Sequence, residues 1–285
     1  MGLIKKNKLS PHWIFSQSGN LWRFVFAGND IIVGETRDID QRLLYLFSLN
    51  ILTGEVFLKD YMFEDGNYWI SIESGNPDTI FLNRYKQPDL PYHKNIVALD
   101  IKTGNKKWEN EEYLYFHHTE NEVYAYKQLF EDSEFVRLDI STGKCIEILD
   151  ANKKNNVYKI RDDDDDILYK DVLYADELSS NNSNGNIRHI IKKEVKNTNE
   201  GGHIEYIIYK NFLIFNYYEK VFDKNKQLSL ENRIRIFDIL TEKRLYADIL
   251  NQNSAYKVPD NFLVYKNVLL YLRNKKEIVA IKLEI

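Results

Sequence analysis

Leu99-Asp100-Ile101-Lys102-Thr103-Gly104 is one of several near-copies of a single hexamer, and its recurrence decides the fold. The others are Leu49-Asn50-Ile51-Leu52-Thr53-Gly54, Leu138-Asp139-Ile140-Ser141-Thr142-Gly143 and, with the glycine lost, Phe237-Asp238-Ile239-Leu240-Thr241-Glu242. The hexamer has the chemistry of a hairpin turn. Asp or Asn closes the incoming strand and can accept hydrogen bonds from the turn's own N–H groups. Glycine supplies the positive φ of a tight reversal. An outgoing strand follows each glycine, as at Glu55-Val56-Phe57-Leu58, Lys107-Trp108 and Cys145-Ile146-Glu147-Ile148-Leu149.

Working upstream, each turn is preceded by an apolar strand such as Leu43–Phe47 or Asn95–Leu99. Another lies before that: Ile31–Val33, Thr79–Leu82, Glu122–Tyr126 and Phe212–Phe215. Several runs are apolar at consecutive positions, the pattern of strands buried on both faces. Sheets stacked against neighbouring sheets bury strands in this way. Between Gly143 and Glu242 there is room for two units. A degenerate copy is expected there, from Asp171–Ala175 through Arg188–Ile191 and a loose turn at Asn199–Gly202 to Ile204–Ile208.

The last unit is split between the ends of the chain. Val279-Ala280-Ile281-Lys282-Leu283 aligns with Val97–Ile101, while Pro11–Phe15 has no inner strands before it. The N-terminal strand is therefore expected to complete the last blade. The expectation is an all-β fold, one β-propeller domain over residues 1–285 with about six four-stranded blades and almost no helix. Insertions at Lys86–His93, Asp162–Asp166 and Ser179–Asn186 read as loops from their Pro, Asp, Asn and Ser content.

The motif at Leu99–Gly104, followed by Trp108, resembles the repeat of quinoprotein-type (PQQ-like) propellers. Gly19-Asn20-Leu21-Trp22-Arg23 with Glu35-Thr36-Arg37-Asp38 resembles the start of a bacterial family of propeller-like proteins of unknown function. Quinoprotein dehydrogenases are longer and hold their cofactor with adjacent cysteines and a calcium site. A single cysteine, Cys145, does not fit that chemistry, and no cofactor is expected. Propellers of this repeat type without the cofactor are similar to assembly scaffolds.

Composition sets the remaining bounds. The 285 residues are 44% hydrophobic, with 20 Tyr and 15 Phe, a bias that favours pleated surfaces. A net charge of −4 from 39 basic and 43 acidic residues gives no strong field, so no nucleic-acid partner is expected. No secretory leader, myristoylation motif or membrane span is read in the sequence, and Cys145 suits a reducing compartment; the expected location is the cytoplasm.

Local motifs are few. Asp162, Asp164 and Asp166 alternate like the start of a calcium loop, but the glycine and the closing Glu are missing, with Leu173 at the closing place. A solvated acidic loop is the simpler reading. His117 and His118 are neighbours on a strand and should face opposite ways. Asn181, Asn182 and Ser183 read as a polar loop.

Trp22, Arg23, Glu35 and Arg37 form the one cluster with binding potential. Arg37 should share a face with Glu35, whose carboxylate could hold the guanidinium for recognition of an anion. The plain alternative is an ion pair and an aromatic packed between blades. Two functions follow: a non-catalytic binding or scaffold module with a protein or small-molecule ligand on one face, or a metal-assisted hydrolase or lactonase of the six-bladed type. The second needs carboxylate and amide side chains converging on a divalent ion.

Overall fold

The computed structural model describes residues 8–87, 90–130, 132–178, 185–195, 204–222, 228–254 and 261–284. Its contacts divide the chain into two compact units, Gln17–Lys170 and the pair of segments Met1–Ser16 and Asp171–Ile285. Strand β1 (Trp13–Ser16) belongs with the second of these.

Gln17–Lys170 contains three antiparallel sheets. The first is a plain meander of β2 (Asn20–Phe26), β3 (Ile31–Asp38), β4 (Leu43–Asn50) and β5 (Val56–Tyr61). In the second, β6 (Ile70–Asn76), β7 (Thr79–Gln87), β9 (Ile96–Asp100) and β10 (Lys106–Asn110) follow in order, and a short β8 (Leu90–His93) folds back on β7. The third is β11 (Leu114–His118), β12 (Glu122–Gln128), β13 (Ser133–Asp139) and β14 (Cys145–Ile148). The sheets pack face to face. Val33, Leu44 and Leu46 of the first meet Ile70, Ile72 and Leu82 of the second, and Phe81, Ala98 and Trp108 meet Val123, Val136 and Leu138 of the third. This apolar layering on both faces explains the consecutive hydrophobic positions of the inner strands.

The hexamers are the turns between the third and fourth strands. Asp139 Oδ1 accepts from the Ser141 and Thr142 amides and the Thr142 hydroxyl, and Gly143 N–H closes on the Asp139 carbonyl at 2.8 Å. The same pattern holds at Asn50 and Asp100. These bonds, led by the Thr142 hydroxyl, hold the Asp139 carboxyl below its ordinary pKa. Two of the turns also receive an aromatic from the preceding sheet. Tyr61 Oη donates to the Gly104 carbonyl (2.8 Å) and Trp108 Nε1 to the Ile140 carbonyl (2.7 Å).

A long helix, α1 (Ala151–Tyr169), follows the third sheet, capped by Asp150, whose side chain accepts from the Lys153 amide. It overturns two expectations. Helix is present where almost none was expected, and Asp162–Asp166 lies within it rather than in a loop. The helix packs on the face of the third sheet that is turned away from the second. Tyr158 meets Phe116 and Phe135, with ring centroids 5.0 and 6.0 Å apart.

The other unit holds β15 (Val172–Tyr174), β16 (Asp176–Glu177), α2 (Gly185–Val195), β17 (Glu205–Tyr209), β18 (Phe212–Phe222), β19 (Leu228–Asp238), β20 (Lys243–Ser254), β21 (Phe262–Tyr265), β22 (Val268–Arg273) and β23 (Glu277–Lys282). One sheet runs β16-β17-β18-β19-β20 and the other β1-β23-β22-β21-β15. Trp13 pairs with Ala280, so the N-terminal strand does complete the last sheet. Helix α2 buries Ile187, Ile190 and Ile191 against Leu213, Phe215 and Phe237.

The fold is thus an all-β propeller type built from antiparallel sheets of four or five strands. The described residues form five sheets where the repeats suggest six. The difference lies in the degenerate copy. Val172–Tyr174 joins β21 at the edge of the last sheet, Arg188–Ile191 is helical, and Glu205–Tyr209 opens a sheet that continues through β18 and β19. The turn expected at Asn199–Gly202 and the loop at Asn181–Ser183 lie outside the described residues. Of the insertion at Lys86–His93, the parts on β7 and β8 are strand rather than loop.

Each sheet of a layered fold needs both faces covered. Within its own unit, α1 covers one face of β11–β14 and α2 one face of β16–β20.

Candidate functional site

Glu35 and Arg37 follow Ile31 and Val33 on one face of β3, the face that meets the second sheet. The two side chains pair at 3.0 Å and are 0% and 6% exposed. Strand β6 is the edge of its sheet, and its outward backbone groups would be unsatisfied when buried. The ion pair satisfies them. Glu35 Oε2 accepts from the Ile72 amide at 2.8 Å, while Arg37 donates to the carbonyls of Ile70 (2.8 Å) and Tyr68 (2.8 Å). The guanidinium also stacks on two rings, 4.9 Å from Tyr68 and 5.4 Å from Trp22. With these donors engaged, Arg37 is an internal brace between sheets.

Trp22 and Arg23 stand differently. The register of β2 against β3 shifts between Leu21 and Arg23, which leaves Trp22 as the extra residue of a β-bulge. A bulge re-aims its side chain. Trp22 here lies over Arg37 and is 59% exposed. Arg23 is exposed beside it and reaches the Glu73 carbonyl at 3.4 Å. The four residues marked in the sequence are therefore together, as two buried supports and two presented side chains.

A second group of polar side chains adjoins them on β6, β8 and β11. Glu73 Oε1 pairs with His93 Nδ1 at 2.5 Å. Tyr115 Oη lies 2.7 Å from His118 Nδ1, and His117 Nε2 lies 2.8 Å from Asp164 Oδ2 on α1. The two histidine rings do not diverge as strand alternation predicts: the register of β11 shifts between Tyr115 and His117, and the rings stack with centroids 5.7 Å apart. His118 sits against Phe81 at 5.1 Å, while His117 turns to α1. Burial, aided by the neighbouring His117, pushes the His118 imidazole down to about 4. Burial likewise raises the Tyr115 phenol. At neutral pH this pair is uncharged. Both members lie on β11, three residues apart; the sequence marks the histidine, but not that its partner is Tyr115.

In the other unit, Asp248 Oδ2 accepts from Tyr271 Oη (2.5 Å), Tyr246 Oη (3.2 Å) and Arg273 Nη1 (3.1 Å). Burial raises both phenols, Tyr246 to about 12. Arg235 is engaged much as Arg37 is, by Glu194, Tyr217 Oη and the Ile234 carbonyl.

The hydrolase reading needs a set of metal ligands. Among the described residues no three His, Cys, Asp or Glu side chains come together in a way that could hold an ion. Asp162, Asp164 and Asp166 are spread along the helix, and Asp164 is turned to His117. Among the described residues no helix is long and apolar enough to cross a membrane.

The profile of a family described as a domain of unknown function (DUF4905) matches residues 27–108, the segment from the end of β2 to Trp108. No curated protein matches the chain. Among solved structures, a eukaryotic initiation factor is similar at 8% identity and TM-score 0.33, over 87% of this chain and 57% of its own. The chain thus spans little more than half of that structure's length. The Dos1 propeller is similar at 9% identity and TM-score 0.31, over 95% and 76%. MPT-4, a mannose phosphorylase from Leishmania mexicana, is similar at 8% identity and TM-score 0.23, over 95% and 87%.

Proposed function

We propose that the protein is a non-catalytic binding module of the cofactor-free, quinoprotein-like repeat type, and that Trp22 and Arg23 are its recognition residues. The observation that carries this reading is the state of Trp22. Its ring is largely exposed yet held against a guanidinium that is itself fixed by an ion pair and backbone carbonyls. An exposed tryptophan with little rotamer freedom left to lose is the kind of side chain that dominates interface energetics. Arg23 beside it adds a directional cation, which suits a protein segment carrying a carboxylate. Glu35 and Arg37 act as supports rather than contacts.

The test is affinity capture with the intact chain and with Trp22→Ala and Arg23→Glu, alongside thermal melting of each. A partner held by the intact chain and lost by both variants, with melting within about 2 °C, supports the reading. Equal capture by Trp22→Ala overturns it. So does one tightly bound divalent metal per chain by elemental analysis, together with hydrolytic activity that depends on it.

A further inference from the structure

Aromatic side chains run in file from Trp22 across the second sheet. Arg37 links the first two, its guanidinium 5.4 Å from the Trp22 ring and 4.9 Å from Tyr68. Tyr68 meets Trp69 with centroids 5.4 Å apart and planes at 90°. The Tyr85 amide donates to the Trp69 carbonyl at 3.0 Å, which sets these two residues opposite each other just ahead of the β6–β7 ladder. Opposite residues bring their Cβ atoms within about 5 Å. Tyr85 in turn meets His93 on β8 at 5.5 Å, with planes at 78°. Trp22 and His93 are exposed, and the three rings between them are half-buried.

Two features select what fits this file. The touching rings stand nearly perpendicular, so the surface is ridged, not flat. Nucleobases stack on flat aromatic platforms along a positive groove. A polyproline II chain, three residues per turn with no internal hydrogen bonds, docks instead between aromatic ridges. The polar groups beside the rings are also committed. Arg37 is held by Glu35 and two backbone carbonyls, Arg84 by Glu64 and Glu109, and His93 Nδ1 by Glu73. A ligand held mainly by hydrogen bonds finds few groups left to make them. Arg23 differs. It is exposed beside Trp22, and among the described residues no carboxylate pairs with it. Its charge is complementary to an anion at that end of the file.

We infer that the file from Trp22 to His93 is the docking site of a proline-rich protein segment in polyproline II form, with an acidic residue beside its prolines held by Arg23. Proline and aromatic rings meet with little conformational freedom to lose on either side. The inference rests on the reading of Trp22 and Arg23 as recognition residues and names the chemistry of their partner.

Fluorescence polarisation with the full chain and three labelled peptides tests it: triple repeats of Asp-Pro-Pro, of Asn-Pro-Pro and of Asp-Gly-Gly. The first is expected to bind, the glycine peptide about tenfold more weakly and the asparagine peptide about fivefold more weakly. Arg23→Gln should bind the aspartate and asparagine peptides alike. Trp69→Leu and Tyr85→Leu, each shown by melting to fold, should weaken the first peptide about tenfold. No binding of the first peptide, equal binding of the glycine peptide, or preference for oligothymidine overturns the inference. So does undiminished binding by folded Trp69→Leu and Tyr85→Leu. A chain that captures a partner through Trp22 yet ignores every peptide sinks this inference alone. Equal binding of the first peptide by Trp22→Ala sinks the reading on which it rests.

Discussion

Glu242 holds the place in its turn that Gly54, Gly104 and Gly143 hold in theirs, with φ at 51° against 76°, 74° and 66°. A side chain in that region is strained, and glycine is not. Glu242→Gly is therefore expected to stabilise the protein by about 1 kcal/mol and raise its melting temperature by about 2 °C. Its surface pair with Lys193 at 3.6 Å offsets little of this. The reverse change behaves differently. A Cβ on Gly143 would lie 2.4 Å from Trp108 Cε3, so Gly143→Ala adds overpacking to backbone strain and should cost about 3 kcal/mol in denaturant titration. If both changes shift stability by less than about 0.5 kcal/mol, the turn geometry described above is wrong. These turns were legible in the sequence because their chemistry is local: one carboxylate, two amides, one positive φ. The aromatics that dock on two of them were not, since Tyr61 and Trp108 reach them from another sheet.

Elements built on local pattern were read correctly, and those that depend on a neighbour were not. The strands before each hexamer announce themselves by apolar runs. Helix α1 does not, because its inward residues Val157, Tyr158, Arg161 and Asp164 bring two charged side chains and a phenol rather than an apolar stripe. Helix α2 had a readable signal in Ile187, Ile190 and Ile191, spaced for one helical face, which the short run Arg188–Ile191 masked as a strand. The candidate site shows the same division. That Glu35 and Arg37 share a face followed from their spacing, whereas their hold on the edge of β6 needed the fold. The prediction at this scale concerns that edge. Arg37→Ala leaves the buried Glu35 carboxylate without its countercharge and two carbonyls without their donor, and should cost about 4 kcal/mol, read as a fall in the denaturation midpoint. Arg37→Lys should rescue little of it, because a single ammonium cannot replace the planar fork. A loss below about 1 kcal/mol for Arg37→Ala would mean that β6 does not depend on the brace.

For the molecule as a whole, buried neutral groups set the pH range of stability. His118 is held near 4 in the folded state against an ordinary value of 6.5, so the unfolded chain takes up a proton first as pH falls. Stability contributed by neutral His118 is present above 6.5 and declines as pH drops towards 4. A loss of about 2 kcal/mol over that window is expected, and His118→Gln should flatten the profile there. At the alkaline end Tyr246 titrates near 12 against 10.0, so stability held below pH 10 declines as pH rises towards 12. A profile unchanged by His118→Gln would remove the histidine from this account. The pairing of Trp13 with Ala280 has a different consequence, one of timing. During synthesis β1 is made before strands β2–β22, and its partner β23 after them. Until then neither its amides nor its carbonyls have a native ladder to join, so that sheet cannot zip up in the order of translation, and the nascent chain carries an unmatched sticky strand while β2–β22 are made.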